Sequence, residues 1–376
     1  MPEAFKHRFS FALIGQMADC FAHFSEAFDR EGFVGHASRD LDKLELKQRS
    51  AQITQAMQRY LPQDFVKSAE ILLASLSPMQ TPAQISVLPE HDHLLKGWAI
   101  MPMADYAALC GQAHFDVAMR LMYEMTQRFS SEFAIRYLLL NEPERTISRL
   151  GQWLTDSSEH VRRLISEGTR PRLPWGLQLG EFVRDPAPIL PLLEALKDDP
   201  SEYVRRSVAN NLNDIAKDHP QLVIELSSRW LKNATKDRTK LVRHACRTLL
   251  KQGNPEALAL FGFMPANLKS VSLSLSSHHV QFDKSVSVRL ELQAAAGEAQ
   301  QIMLDYVVYH KKANGKLLPK VFKWKVLSLQ SNQSLIIDKT HSFKPVTTRK
   351  YHEGEHKIAV LINGKEFART PFDLLR

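Results

Sequence analysis

Residues 160–168 read HVRRLISEG, and two later stretches repeat the same arrangement of valine, basic residues and apolar residues. The later copies are YVRRSVANNL at 203–212 and LVRHACRTLL at 241–250. The aligned valines stand at positions 161, 204 and 242, which gives spacings of 43 and 38 residues. Periods near 40 residues, with another helix before each copy, are typical of HEAT-like α-solenoids. The repeat therefore predicts stacked helix pairs with a concave face.

The hydrophobic pattern on either side of this repeat changes once, near residue 265. Upstream, apolar residues recur every three or four positions, as do Leu13, Met17 and Phe21, which indicates amphipathic helices. Downstream, apolar residues alternate with polar ones, as at Val286 and Val288, which indicates half-buried strands. The chain is therefore predicted to be mainly α-helical with an all-β part at its C-terminal end.

The change of period also predicts the domain organisation. We expect a HEAT-like α-solenoid over residues 1–265 and a small all-β, immunoglobulin-like sandwich over 266–376. Asn-Gly pairs at 314–315 and 363–364 lie between apolar runs of the second part, where they predict tight hairpin turns.

Composition narrows the class of protein. The 376 residues carry a formal net charge of +8, which fits an anionic partner such as nucleic acid but also serves solubility. No apolar run reaches about 18 residues and no cleavable leader is evident, so a cytoplasmic protein without membrane contact is expected. Cys20, Cys110 and Cys246 are far apart, and their spacing matches neither a disulfide framework nor a zinc site.

The first repeated helix has two different faces. At 100° per residue, Val161 and Leu164 fall on one side, whereas Arg163 and Glu167 fall on the opposite side. The second copy places Arg206 in the same register as Arg163. One interpretation is a solvated face with an ordinary Arg–Glu pair, which stabilises a helix by only a few tenths of a kcal/mol.

The segment that follows, TRPRLPW at 169–175, favours a functional interpretation. Pro171 and Pro174 bias their neighbours toward extended backbone, so Arg172 and Trp175 are expected on a stiff segment just after the helix. The tryptophan could instead pack into the solenoid core, as tryptophans usually do. Basic residues, carboxylates and an aromatic ring on one face are suited to a flat, cationic group within an anionic polymer.

Three stretches together resemble a known family. They are SSEFAIRYLL at 130–139, HVRRLISEGTRPRLPW at 160–175 and DDPSEYVRRSVANNLNDIAKDHP at 198–220. They closely resemble the AlkC branch of the DNA alkylation repair proteins, the HEAT-like-repeat DNA glycosylases that also include the AlkD proteins. The resemblance extends from about residue 95 to the C-terminus and includes the immunoglobulin-like unit of AlkC proteins.

The resemblance implies excision of cationic N3-alkylated bases, chiefly 3-methyladenine and 3-methylcytosine, from double-stranded DNA without base flipping. No lysine is needed as a nucleophile, so a monofunctional enzyme without lyase chemistry is expected. A monomer that needs no metal or other cofactor is also expected, because a cationic base departs without help from a Lewis acid and the sequence offers no cluster of metal ligands. The chemistry fits carboxylates, because a cationic base leaves readily and the difficult species is an oxocarbenium ion on the deoxyribose. A preorganised carboxylate stabilises that growing charge, and a second one can orient the attacking water.

Residue roles follow from the same resemblance. Glu167 is the expected principal catalytic carboxylate, Asp214 its partner and Glu132 the third of the set, while Trp175 should pack on the sugar or the cationic base. The residues expected to contact DNA phosphates are Arg163, Arg172, Arg206, Lys316, Lys320, Lys323 and Lys325. The four lysines also fit a half-exposed strand with no binding role, and only the resemblance makes them a DNA clamp.

Two other functions are compatible with parts of the sequence. A non-catalytic HEAT scaffold would bind DNA or protein through the same face, although carboxylates there would oppose DNA affinity. A metal-dependent nuclease would need a ligand cluster, for which His91-Asp92-His93 is the one dense candidate. That triplet precedes the repeats and is more simply interpreted as a polar loop.

Overall fold

The computed structural model describes residues 5–78, 94–346 and 350–376. Helices form the part of these residues up to 259, and strands form the part from 268 onward, which confirms the predicted fold class. The helices are α1 (Phe11–Phe24), α2 (Arg30–Ala37), α3 (Leu46–Tyr60), α4 (Phe65–Ala74), α5 (Ile100–Cys110), α6 (Phe115–Thr126), α7 (Ile135–Asn141), α8 (Pro143–Gln152), α9 (Glu159–Gly168), α10 (Gly180–Arg184), α11 (Leu190–Leu196), α12 (Glu202–Ile215), α13 (Pro220–Leu231), α14 (Lys236–Ala245), α15 (Arg247–Lys251) and α16 (Pro255–Ala259). The strands are β1 (Leu268–Leu275), β2 (His279–Gln281), β3 (Ser285–Ala294), β4 (Gln300–Lys311), β5 (Leu317–Leu329), β6 (Ser334–Ser342), β7 (Gly354–Ile362) and β8 (Lys365–Leu375).

The chain divides into two compact units. One comprises Met1–Asp218 and Ala234–Ala245, and the other comprises His219–Asn233 and Cys246–Arg376. Secondary structure changes type near the predicted boundary at residue 265, whereas helices α13, α15 and α16 group with the strands. The division into domains 1–265 and 266–376 therefore stays a prediction. Among the residues that the structure describes, no helix combines the length and apolar character needed to cross a bilayer.

Local side-chain contacts explain where several helices begin. The hydroxyl of Ser10 accepts the amide of Leu13 at 3.2 Å before α1, and the carboxylate of Asp64 accepts the amide of Val66 at 2.9 Å before α4. Both contacts satisfy amides that the first turn of a helix leaves without a backbone partner. Pro220 opens α13, where a missing amide proton costs nothing.

The predicted repeats are confirmed as neighbouring helices. Helix α12 packs against α9 on one side and α14 on the other. The apolar residues that define the repeat period are buried at this contact, with Val161, Val204 and Val242 fully inaccessible to solvent. Their burial supplies the main driving force for stacking one helix pair on the next.

In the first two copies, the arginine that directly follows the valine connects consecutive repeats. Arg162 donates to both carboxylate oxygens of Asp199 at 2.6 and 3.0 Å and to the carbonyl of Asp156 at 2.6 Å. Arg205 repeats this pattern one unit later, with the carbonyl of Asp199 at 2.6 Å and the carboxylate of Asp237 at 2.8 Å. The planar guanidinium can bridge a turn and the next helix in this way. These arginines therefore have a structural role.

The strands form the predicted sandwich. A three-stranded sheet has the order β1-β3-β6, and a five-stranded sheet has the order β2-β8-β7-β4-β5. On β3, alternate residues from Val286 to Leu292 are buried, as the period of two requires. Strand β5 lies at the edge of the five-stranded sheet.

The hairpin between β7 and β8 has the predicted Asn-Gly turn. Asn363 and Gly364 have φ angles of 48° and 80°, as a two-residue turn with left-handed positions requires. The Asn363 amide group donates to the carbonyls of Met264 and Gln301 at 2.6 and 3.0 Å. This turn lies against the backbone of Gly253, between α15 and α16 in the same compact unit.

Gly364→Ala is expected to lower the free energy of unfolding by about 2 kcal/mol or more. A Cβ atom at this position would lie 2.5 Å from the Cα of Gly253 and 2.8 Å from a methyl group of Leu258, and the φ of +80° adds backbone strain. Gly315→Ala is the matched control, because Gly315 has a φ of +76° but no atom within 4 Å of the added Cβ. Urea denaturation of both variants measures the difference, and equal losses of stability would contradict the steric argument.

Candidate active site

Three carboxylates that are distant in sequence come together around two arginines. Glu132 lies in the turn between α6 and α7, Glu167 in the last turn of α9 and Asp214 in the last turn of α12. Arg170 donates to Glu167 at 2.7 Å and to Asp214 at 2.8 Å. Arg163 pairs with Glu132 and lies 3.5 Å from Glu167. The structure thus gathers the three predicted carboxylates into one cluster.

Two of the carboxylates are nearly inaccessible to solvent. The exposed fractions of Glu167 and Asp214 are 5% and 2%. Glu167 was expected on the face opposite the apolar residues of α9, yet it is buried because the cluster and helix α12 cover it. Burial of a charged carboxylate is costly unless it is hydrogen-bonded and paired. The surrounding donors therefore decide whether the cluster is stable.

Hydrogen bonds fix the orientation of both buried carboxylates. The Ser207 hydroxyl donates to the second oxygen of Glu167 at 2.6 Å, and Ser166 donates to Ser207 at 2.8 Å. The second oxygen of Asp214 accepts a hydrogen bond from the ammonium group of Lys217 at 2.9 Å. Each oxygen of these two carboxylates thus has a defined donor. Such a preorganised arrangement suits a site that stabilises developing positive charge without first reorienting its own groups.

Arg170 lies at the centre of this cluster, although it is not among the site residues that the sequence predicts. Burial disfavours its charge, but the hydrogen bond to Asp214 and the attraction of Glu167 outweigh that effect and raise the pKa of Arg170 above its ordinary value. The predicted Arg172 instead pairs with Asp218, with two contacts of 2.8 Å, in a more exposed position. A signal in the sequence is that Arg170 lies two residues after the end of α9, the helix that carries Glu167.

Trp175 lies on the segment that follows α9, which we call the strap (residues 169–177). Its exposed fraction is 62%, so it does not pack into the helical core. Its φ of +65° is in the left-handed region, which bulky residues rarely adopt. The backbone thereby presents the indole to solvent, as a stacking role requires.

The predicted phosphate ligands of the helical part have different surroundings. The guanidinium of Arg163 is engaged with Glu132 and lies 5.2 Å from the ring centre of Tyr203, a half-exposed residue of α12. Arg206, on the same helix, is exposed. The phosphate role of Arg163 stays a prediction, and it would require the side chain to leave Glu132.

The predicted lysines belong to the second compact unit. Lys316 precedes β5, and Lys320, Lys323 and Lys325 lie on it, all with exposed side chains. Lysines on an edge strand also prevent unwanted pairing with other strands. Their position alone therefore fits either role. The candidate metal ligands His91-Asp92-His93 lie outside the described residues.

Comparisons with known proteins bear on both parts of the chain. Residues 269–376 match the family model described as "Uncharacterised protein YhaZ, C-terminal Ig-like domain", and residues 189–219 match the HEAT repeat model. The chain is 36% identical over 328 residues to the uncharacterized protein YhaZ of Bacillus subtilis (strain 168), covering 87% of this chain and 86% of YhaZ. It is 33% identical, with a TM-score of 0.86 over 100% of both chains, to Pseudomonas fluorescens alkylpurine DNA glycosylase AlkC bound to DNA containing an abasic site analog.

Proposed function

This chain belongs to the AlkC family, and on that premise we propose that it is a DNA glycosylase that excises cationic N3-alkylated bases from double-stranded DNA. The observation that carries the proposal is the buried pair Glu167 and Asp214, oriented by Arg170 on the same strap that presents Trp175. In a protein that only bound DNA, carboxylates at such a site would oppose affinity, because they repel phosphates.

The proposed reaction needs few groups from the protein. Alkylation at N3 makes the base cationic, so the bond from C1′ to the base breaks with its electron pair going to the base, which leaves neutral. The deoxyribose becomes an oxocarbenium ion, which the negative charge of Glu167 stabilises. Water that Asp214 orients then attacks C1′ and releases a proton to bulk solvent, which leaves an abasic sugar. Glu132 adds to the negative potential, and Trp175 packs against the sugar.

Incubation of the full chain with methylated duplex DNA, followed by analysis of the released bases, tests the proposal. We expect release of 3-methyladenine and 3-methylcytosine, and no release from the same duplex before methylation. Strands should break only after later alkali treatment, since no lysine nucleophile is assigned. Binding to methylated DNA without release of any base would instead support the non-catalytic HEAT scaffold.

We further propose that Lys316, just before β5, and Lys320, Lys323 and Lys325 on β5 bind the DNA backbone. Replacing Lys316, Lys320, Lys323 and Lys325 with glutamine should weaken binding and make its salt dependence shallower, by about 0.9 in log–log slope for each phosphate that the protein no longer neutralises. The matched control replaces the same four residues with arginine, which keeps the charge and should keep the slope. If the glutamine variant keeps the salt dependence of the parent, the lysines serve only to prevent the edge strand from pairing with other strands. Substitution is preferable to truncation near residue 265, which would separate β7 and β8 from the Gly253 turn.

A further inference from the structure

We propose that Arg136, helped by Lys47, is a positioning residue of the site: it fixes the strap so that Arg170 and Trp175 are held where the reaction needs them. Neither Arg136 nor Lys47 has a direct role in the proposed reaction. The inference rests on the proposed glycosylase function and adds to it the residues that position Arg170 and Trp175.

Arg136 grips the strap through backbone carbonyls. It lies on α7, is fully buried, and its terminal Nη1 donates to the carbonyls of Gly168 and Arg170, both at 2.8 Å. Its Nε donates to the carbonyl of Leu177 at 2.6 Å. One side chain therefore binds three places along the chain: the end of α9, the backbone of Arg170 and the far end of the strap. The guanidinium is suited to this task because its donors diverge in a rigid plane.

The strap packs closely on this guanidinium. A Cβ atom added at Gly176 would lie 3.2 Å from Nε of Arg136 and 3.0 Å from Leu173, which leaves little space for the backbone to shift. The amide of Gly176 donates to the carbonyl of Leu173, and that of Leu179 to the carbonyl of Pro171. The strap is thus held by its own turn and by the close contact with Arg136.

Lys47 holds the part of the strap that Arg136 does not reach. This exposed residue of α3 donates to the carbonyl of Trp175. The left-handed backbone of Trp175 costs on the order of 1 kcal/mol or more, and its exposed indole has few packing contacts to offset that cost. The hydrogen bonds from Lys47 and Arg136 therefore help to stabilise this conformation.

The cost of burying the charge of Arg136 indicates that this residue does more than fill space in the core. Its hydrogen-bond partners are neutral carbonyls, and a buried charge without a directly paired carboxylate is expensive. Burial, followed by repulsion from Arg170, lowers the pKa of Arg136 to about 10, so the residue stays charged near neutral pH. Packing alone could be achieved with an apolar side chain at lower cost. Its guanidinium geometry is the property that an apolar residue could not supply.

The chain offers a matched control in Arg49. This arginine is also buried, and it also donates to neutral carbonyls, those of Leu44 and Phe9, both at 3.0 Å. It makes no contact with the strap among its hydrogen bonds in the described residues. Arg49→Lys should therefore resemble Arg136→Lys in its effect on stability but not in its effect on the site.

The test is a double-substitution cycle on the full chain. Arg136→Lys, Trp175→Ala and their combination are assayed for the single-turnover rate of 3-methyladenine release, for affinity to abasic-analogue DNA and for the thermal unfolding midpoint. We expect Arg136→Lys to slow release about tenfold or more, because small displacements of catalytic groups have effects up to about a hundredfold. The combined variant should be about as slow as the slower single variant, since both changes disable the same element.

The control and a second variant keep the result decisive. Arg49→Lys should release base at the parental rate, and its effect should multiply with that of Trp175→Ala. Multiplying effects for Arg136→Lys and Trp175→Ala, or parental release by Arg136→Lys, would overturn the positioning role. If Arg136→Lys does not fold, Lys47→Met replaces it in the same cycle, where coupling to Trp175→Ala supports the inference. If Lys47→Met weakens DNA binding but releases base at the parental rate, the positioning role is overturned.

Failure of the inference is distinguishable from failure of the proposed function. If the parent releases no methylated base, the proposed function fails, and this inference fails with it. If the parent releases base and Arg136→Lys matches it, only the positioning role is rejected.

Discussion

Replacing Glu167 with glutamine should slow base release by about a hundredfold or more while DNA binding stays near the parental level. The substitution removes the negative charge that stabilises the oxocarbenium ion. The fold should persist, because the amide oxygen can face Arg170 and the amide nitrogen can donate to Ser207, whose hydroxyl can then turn toward Ser166. Single-turnover release of 3-methyladenine and affinity for abasic-analogue DNA measure the two effects separately.

A control on the same helix isolates the role of position. Glu159 opens α9 with an exposed side chain, and Glu159→Gln should leave the release rate within about twofold of the parent. Asp214→Asn should resemble Glu167→Gln. If the two carboxylates act as a unit, the double variant should be far less impaired than the product of the two single effects. Parental release by Glu167→Gln would reject the proposed catalytic assignment.

Replacing Arg170 with methionine should both destabilise the protein and nearly abolish base release. The change leaves Glu167 and Asp214 buried without their shared partner, and removing one member of a buried ion pair typically costs about 3–5 kcal/mol. The carboxylates would also repel each other and lose the orientation that the reaction requires. We expect release to fall by more than about a hundredfold. Urea denaturation and single-turnover assays at a temperature where the variant is folded measure these effects.

Arg172→Met is the matched control for this experiment. Arg172 lies two positions away on the same strap and pairs with Asp218 in a more exposed setting, so its removal should change stability far less than the removal of Arg170. Any defect should appear as weaker DNA binding, consistent with its predicted role at a phosphate. Equal stability losses for Arg170→Met and Arg172→Met would show that the buried cluster stabilises the fold no more than the more exposed Arg172–Asp218 pair does.

Much of the fold could be predicted from local patterns. The valines at 161, 204 and 242 mark the repeat because a helix that packs on its neighbours must present apolar residues at regular intervals. Alternation from Val286 to Leu292 marks β3, and Asn363-Gly364 marks a turn, for equally local reasons. Each of these signals lies within a few residues of the structure that it predicts.

The site was predictable only in part. The resemblance to AlkC proteins selected Glu132, Glu167 and Asp214, and the structure brings these three side chains together. Periodicity alone placed Glu167 on the face opposite the apolar side of α9 and gave no reason to expect its burial. Nor did it distinguish Arg170, which joins two of the carboxylates, from Arg172, which pairs elsewhere.

The sequence by itself determined the helical repeats, the sandwich strands and the carboxylates to be considered, because these depend on local periodicity and on recognisable motifs. Only the tertiary structure decided which arginine pairs with which carboxylate, and which one holds the strap. Arg170 and Asp214 are 44 residues apart, Ser207 and Glu167 are 40 apart, and Arg136 reaches Leu177 across 41. Such contacts form when α7, α9 and α12 pack together, and no local pattern specifies which donor then lies within hydrogen-bond distance of which acceptor.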